Sequence, residues 1–267
     1  MKYMHFRASC SYAGLANMME MIGVDTEDYK IAMEMGHPWL FAEAEGEFLS
    51  GPMLQDAKWF NLWLHPRGFT MEETTVGVNE LYYQLQSYGP SMLGISTPYG
   101  KHAVVFTGYD GNYHFINPTY EGSVEKTKLS LREEELLHSV ENTVVIARVF
   151  PGEPETIDMK PLFGRSIHVL QKNVTAIENF ASVPHEPGEY VCALNKLFRP
   201  LLLDGISMLE LAGETNLAES LRILQGHLMT FMRGSREGVL SSVLSLEALH
   251  DAANEYIRLI EKASAEV

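Results

Sequence analysis

The sequence has few cysteines, few basic side chains and no long apolar run. Its 267 residues include 2 Cys, and 20 Lys and Arg stand against 35 Asp and Glu, a formal net charge of −15 at pH 7. Two cysteines cannot form a disulfide framework, which favours a reducing compartment and predicts a cytoplasmic protein. The negative charge makes nucleic acid and membrane surfaces poor partners. We expect neither a membrane-spanning helix nor a signal peptide, whose apolar core the first ten residues lack.

The chain also lacks a phosphate-binding loop. Glycines recur at positions 94, 100, 108 and 111, but no GxxxxGK[ST] pattern follows a strand there. Nucleotide binding is therefore unsupported.

A proline-rich stretch divides the chain near residue 150. Pro151, Pro154 and Pro161 lie among glycines and charges, where neither a helix nor a strand can continue. We predict one domain over residues 1–150, a linker over 151–164 and a second domain over 165–267.

The second domain is predicted to be an all-α helical bundle. Its apolar residues recur at intervals of three and four, which is the helical period. The expected helices cover residues 167–180, 189–211 with a bend or break at Pro200, 217–231, and 239–260.

The first domain is predicted to be α+β. Residues 10–22 indicate a buried helix that begins at or near Cys10, and residues 24–70 indicate helices and loops. Short β-branched or aromatic segments between turn residues then predict an antiparallel sheet. Its expected strands are residues 91–97, 102–107, 113–117 and 143–149.

A hairpin is the most informative local feature. Asp110 and Gly111 between two apolar runs predict a two-residue loop, in which the numbers of opposed residues sum to 221. His102 and Asn117 then emerge on the same face as diagonal neighbours, whereas His114 opposes residue 107 and points to the other side.

These residues suggest covalent chemistry. An amide beside an imidazole holds the ring in one orientation, so that the other nitrogen can take a proton from a nucleophile. The predicted nucleophile is Cys10, because the amino end of a helix favours thiolate and its backbone N–H can face an oxyanion. Cys192 is expected to belong to a helix core.

The same segments resemble a known family. Residues 7–23, RASCSYAGLANMMEMIG, are similar to the cysteine-bearing helix of papain-like cysteine peptidases, particularly the domains that cut double-glycine leader peptides. Residues 88–119 resemble the strands of that group that carry the His and the closing Asn-Pro. The chain also resembles the N-terminal domain of butirosin biosynthesis protein H, an acyltransferase. The resemblance implies that Cys10 is the nucleophile, His102 the general base and acid, and Asn117 the residue that orients it.

One family residue is missing. The peptidases usually place a Gln a few residues before the cysteine to complete the oxyanion hole, and residues 1–9 contain none. His5, Arg7 or Ser9 are candidates to replace it beside the N–H of Cys10, and Gln55 is another if loops bring it close.

Three functions follow as alternatives. The first is cysteine peptidase-like or amidase-like hydrolysis, and the second is acyl transfer from a thioester carrier to an amine. The third is an inactive papain-like binding module. The expected partners are a peptide, amide or acyl-thioester substrate, with a carrier protein and a homo-oligomer left open. The chemistry requires no metal or organic cofactor.

Overall fold

The computed structural model describes residues 1–6, 9–98, 100–234 and 238–267. The chain forms two compact units. The first unit comprises Met1–Met35 and Gln55–Ile157, and the second comprises Gly36–Leu54 and Asp158–Val267. The chain as a whole mixes helices with antiparallel strands, in agreement with the coarse α+β prediction, and the second unit also contains two strands although its helical segment was predicted to be all-α.

The elements are numbered along the chain. The helices are α1 Ser11–Met21, α2 Asp28–Glu34, α3 Ala57–Leu64, α4 Val78–Tyr88, α5 Glu133–Ser139, α6 Lys160–Ala181, α7 Pro187–Ala193, α8 Gly205–Leu211, α9 Thr215–Arg233 and α10 Leu246–Ala265. The strands are β1 Phe41–Ala44, β2 Glu47–Ser50, β3 Phe69–Gly77, β4 Ser91–Thr97, β5 Gly100–Tyr109, β6 Tyr113–Ile116, β7 Lys128–Leu131 and β8 Thr143–Pro151.

An antiparallel sheet organises the first unit. Its strand order is β3-β8-β4-β5-β6-β7. The four predicted strands are present as β4, β5, β6 and β8. Strand β3 escaped prediction because only Met71 and Val76 of its nine residues are buried, so it carries almost no apolar signal. It pairs with β8 along its whole length, which holds it in place through the backbone.

A buried cluster forms the core on one face of this sheet, with contributions from α4 and α5. Its members are Val76, Leu81, Leu85, Leu93, Ile95, Val104, Phe106, Tyr113, Phe115, Leu136, Val144 and Ile146.

Helix α1 packs on the sheet where β4 and β5 run together. The backbone N–H of Gly14 donates to the carbonyl of Cys10 at 2.9 Å, so the helix begins at Cys10 as predicted. Gly14 permits this close approach, because a Cβ there would lie 2.5 Å from the sulfur of Met92. Tight packing at Gly14 therefore fixes the start of α1 against the sheet.

The predicted two-residue hairpin loop is wrong. Tyr109 pairs with Tyr113, so the loop has three residues, and Gly111 supplies a φ of 109°. A bulge between Phe106 and Gly108 absorbs the extra residue. His114 consequently opposes Gly108 rather than residue 107. Beyond the bulge, Val105 opposes Ile116, so the predicted register, in which the numbers of opposed residues sum to 221, holds in the half of the hairpin nearer His102.

The second unit combines the β1-β2 hairpin with helices α6 to α10. The hairpin corrects the prediction of helices and loops over residues 24–70. The predicted helix over 189–211 is continuous from α7 to α8, because π-helical turns at Leu194–Phe198 and Pro200–Asp204 accommodate Pro200. The last helix begins at Leu246 rather than at 239, because the Ser245 hydroxyl accepts the N–H of Ala248 at 3.2 Å and caps it there.

The unit bounds differ from the predicted domain bounds. Residues 36–54 belong to the second unit, and the expected linker over 151–164 contains the end of β8 and the first residues of α6. Assigning a papain-like domain to residues 1–150 and a helical bundle to 165–267 stays a prediction.

None of the helices in the described part of the chain combines the length and the apolar content needed to cross a membrane.

Candidate functional site

Two cavities of the first unit share Cys10 and His102. The wide cavity, of about 660 Å³, is also lined by Asn117, so the three predicted catalytic residues border one space. The narrow cavity, of about 230 Å³, is also lined by Gln55 and Glu73. A substrate group bound in either cavity would lie beside Cys10.

The sulfur of Cys10 lies among hydrogen-bond donors. The backbone N–H of Ala103 donates to Sγ at 2.9 Å. Burial of the thiol raises its pKa, but the interaction with His102, the N–H of Ala103 and the N–H of Cys10 itself together lower the pKa below its usual value. The environment therefore favours thiolate.

His102 responds in the opposite direction. Burial lowers the pKa of its imidazole, but the interactions with Cys10, with the Asn117 side chain and with the Pro118 carbonyl outweigh burial and raise the pKa. A lowered thiol pKa beside a raised imidazole pKa favours a thiolate–imidazolium pair. Such a pair is the form in which cysteine nucleophiles react.

Asn117 is buried, and two hydrogen bonds hold its backbone and its side chain. Its backbone N–H donates to the carbonyl of Thr127 at 2.9 Å, and its side-chain Nδ2 donates to the carbonyl of Lys126 at 2.6 Å. The bond to Lys126 leaves Oδ1 as the atom that can face the ring of His102, whose buried Nε2 has no hydrogen-bond partner within the described residues. The side chain is thus fixed by the residues that follow β6.

Gln55 comes to the site from the segment before α3. Its Oε1 accepts hydrogen bonds from the hydroxyls of Ser9 at 2.7 Å and Ser11 at 3.0 Å, the residues on either side of Cys10. Among residues 1–6, 9–98, 100–234 and 238–267, no acceptor bonds to its Nε2. The amide therefore keeps an N–H group available in the narrow cavity.

The other described residues suggested for the oxyanion hole do not offer a donor to either cavity in the way that Gln55 does. The ring of His5 bonds to the buried carboxylate of Asp28 at 2.5 Å, and His5 lies outside both cavities, which contradicts that role. The Ser9 hydroxyl is committed to Gln55, so it supports the site indirectly. Arg7 lies outside the described residues.

Cys192 is exposed on α7, so the expectation that it belongs to a helix core is wrong. Within the described residues, no backbone N–H donates to its thiol, and no histidine contacts it.

The sequence interpretation missed the N–H of Ala103 and the carboxylate of Glu73. Glu73 pairs with Ala147, Ala147 with Met92, and Met92 with Val105, so these side chains share one face of the sheet. Gly14 of α1 packs on Met92, which shows that this is the face of the Cys10 helix. No sequence signal could have found Glu73, because β3 itself carries almost no apolar pattern and its register is set by pairing with β8.

No family model matches the chain, and no curated protein matches it. Among solved structures, the chain is similar to the crystal structure of the peptidase domain of Streptococcus ComA, a bi-functional ABC transporter involved in a quorum-sensing pathway. The identity is 14% and the TM-score 0.39, with 56% of this chain and 96% of that chain covered. A likeness of this size does not identify a family, and the resemblance to butirosin biosynthesis protein H stays a prediction.

Proposed function

We propose that this chain is a cysteine peptidase-like acyl hydrolase or transferase in which Cys10, His102 and Asn117 act together. The single observation that carries the proposal is the Cys10 sulfur, which accepts the N–H of Ala103 at 2.9 Å and whose pKa is lowered beside a histidine whose pKa is raised. Reactive cysteines lie in surroundings of this kind, which stabilise the thiolate, whereas buried structural cysteines are inert.

The first half-reaction acylates the enzyme. The Cys10 thiolate attacks the carbonyl carbon of an amide or thioester and forms a C–S bond. The imidazolium of His102 donates its proton to the leaving amine or thiolate as the scissile bond breaks. Asn117 holds the ring in the orientation needed for this transfer.

The second half-reaction discharges the acyl group. Water or an amine attacks the thioester carbonyl, His102 accepts the proton of the attacking group, and the C–S bond breaks to regenerate the thiolate. Water as acceptor gives hydrolysis, and an amine gives acyl transfer. The same residues serve both outcomes.

Gln55 is proposed to complete the oxyanion hole. Its Nε2 is the available donor in the narrow cavity, and the N–H of Cys10 is the second donor. Ser9 and Ser11 hold Oε1, so the amide cannot rotate its acceptor towards the oxyanion without breaking two hydrogen bonds. A Gln that follows the cysteine in sequence would thus replace the one expected before it.

The test is intact mass after incubation with an acetyl thioester of N-acetylcysteamine. We expect a mass increase of one acetyl group on Cys10 in the Cys192→Ser variant and none in the Cys10→Ser variant, with loss of the adduct over time. Alkylation by iodoacetamide near neutral pH supplies a second measurement. Slow and equal labelling of Cys10 and Cys192, without acylation, would support the inactive binding module instead.

A further inference from the structure

We infer that Glu73 is a specificity residue that selects substrates whose amine part carries a second, positively charged nitrogen bound in the narrow cavity. This inference rests on the proposed acyl-transfer function and assigns the class of amine that the enzyme releases or acylates.

Glu73 is an accessible carboxylate directed to the site. It lines the narrow cavity together with Cys10, Gln55 and His102. Its strand register places it on the sheet face that α1 covers, as the row through Ala147 and Met92 shows. The cavity therefore has a negative charge on the wall that faces a bound substrate.

No cation of the described residues neutralises this carboxylate. Glu73 forms no ion pair within residues 1–6, 9–98, 100–234 and 238–267. Lys101, which lines the same cavity, pairs with Glu141 at 2.8 Å. The backbone N–H of Ala57 is the hydrogen-bond donor to Glu73, and burial and the nearby charge of Asp56 raise its pKa. The positive charge of a bound cation would favour the ionised carboxylate and so offset both effects.

The two cavities differ in the groups that they suit. The wide cavity has apolar walls that include Ile95, Pro118 and Leu129, which suit an acyl chain. The narrow cavity is smaller and carries the carboxylate of Glu73 and the amide of Gln55. This assigns the acyl part to the wide cavity and the amine part to the narrow one.

The cation bound by Glu73 cannot be the reacting nitrogen. An attacking amine needs its lone pair, whereas a neighbouring carboxylate favours the protonated form of an amine. A leaving amine follows the reverse path of an attacking amine, so its reacting nitrogen must also be able to depart with a lone pair. The substrate must therefore carry a second basic nitrogen, as in a diamine, a polyamine or a peptide with a basic side chain next to the scissile bond.

The first experiment does not require acyl transfer. In a Cys192→Ser background, the rates of Cys10 modification are compared for 2-aminoethyl and 2-sulfonatoethyl methanethiosulfonate, which react alike but carry opposite charges. We expect Glu73→Gln to lower the cationic-to-anionic rate ratio by about tenfold, the scale of a close charge pair in a partly hydrated site.

The matched control is Glu72→Gln. Glu72 is the preceding residue of β3 and lines a different cavity with Arg148, so its substitution changes the net charge equally without reaching the site. We expect its ratio to equal that of the parent protein. Equal changes in both variants would overturn the inference, because the effect would then come from net charge alone.

The second experiment measures discharge of acetylated Cys10 by 1,4-diaminobutane and by 1-aminobutane. We expect the diamine to react faster, with the preference lost in Glu73→Gln and kept in Glu72→Gln. Equal preference in all variants would refute the role of Glu73. Absence of any acetylated Cys10 would instead refute the proposed function, and the charge ratio of the first experiment would still decide whether Glu73 selects cations at this sulfur.

Discussion

Each compact unit contains a histidine that burial affects, and the pKa values of the two rings shift in opposite directions. In the second unit, His37 is fully buried, and burial lowers its pKa to about 3, against a smaller opposing effect of the Gly51 backbone. In the first unit, burial also acts on His102, but Cys10, Asn117 and Pro118 reverse its effect and raise the pKa. Burial alone makes a neutral structural histidine, whereas a thiolate and a carbonyl nearby make one that can carry a proton.

The two cysteines repeat the contrast. Cys10 is partly buried and accepts a hydrogen bond from Ala103, whereas Cys192 is exposed on α7. Solvent access favours modification of Cys192, and the electrostatic environment favours Cys10. Their relative alkylation rates therefore measure which of these two effects is larger.

The largest effect is expected when the imidazole of His102 is removed. We expect His102→Ala to slow acylation of Cys10 by about 10³-fold to 10⁴-fold, because proton transfer and thiolate stabilisation are both lost. Single-turnover acylation followed by mass measures this. His114→Ala, on the same hairpin but hydrogen-bonded to Asp110 at 2.7 Å, is the control and should keep the parent rate. Near-equal acylation in the two variants would contradict the role of His102.

The next largest effect concerns Gln55. Gln55→Glu keeps an oxygen for the hydroxyls of Ser9 and Ser11 but replaces the Nε2 donor with an acceptor. We expect kcat to fall by about 10²-fold to 10³-fold, the usual loss for one oxyanion-hole donor. The iodoacetamide rate of Cys10 should change much less, because alkylation forms no oxyanion. Gln171→Ala, an exposed position of α6, serves as the control, and a kcat within twofold of the parent would exclude Gln55 from the oxyanion hole.

The lowered pKa of His37 predicts how the free energy of unfolding depends on pH. Its pKa in the folded state, about 3, is lower than in the unfolded chain, so the unfolded state binds the proton first as the pH falls. The free energy of unfolding should therefore decrease by about 1.4 kcal/mol per pH unit below about 6.5. His102 acts with the opposite sign, because the stability from its raised pKa is present at low pH and is lost as the pH rises through that pKa.

Urea unfolding at pH 7 and pH 5 measures the His37 effect. The loss between these values should be about 2 kcal/mol smaller in His37→Gln than in the parent protein. His37→Phe provides a second variant that fills the site without a titratable group. An unchanged slope in both variants would show that His37 is not the source of acid destabilisation.

The smallest effect is expected for Asn117. Asn117→Ala removes one of the interactions that raise the pKa of His102, so the alkaline limb of the pH–rate profile should move to lower pH. We expect kcat at neutral pH to fall by about tenfold, because the nucleophile and the proton donor remain. Asn216→Ala, an exposed position of the second unit, should leave both the limb and kcat unchanged. An unmoved limb in Asn117→Ala would show that the amide does not orient the ring.

Local patterns in the sequence predicted a large part of the first unit. The helix that starts at Cys10 and four strands of the sheet follow from apolar spacing and turn signals. The three-residue loop and the bulge that compensates for it did not follow, because two-residue and three-residue loops are both common hairpin connections. Strand β3 was missed since backbone pairing, rather than apolar side chains, holds it in the sheet.

The sequence by itself determined where a thiol, an imidazole and an amide are available on a helix and a hairpin, because helical and strand periodicities are properties of neighbouring residues. Only the tertiary structure decided that Gln55 meets Ser9 and Ser11, that Ala103 donates to the sulfur and that Glu73 lines the same cavity. Those contacts join segments far apart along the chain, and they depend on how closely a helix packs on a sheet, which no local pattern encodes.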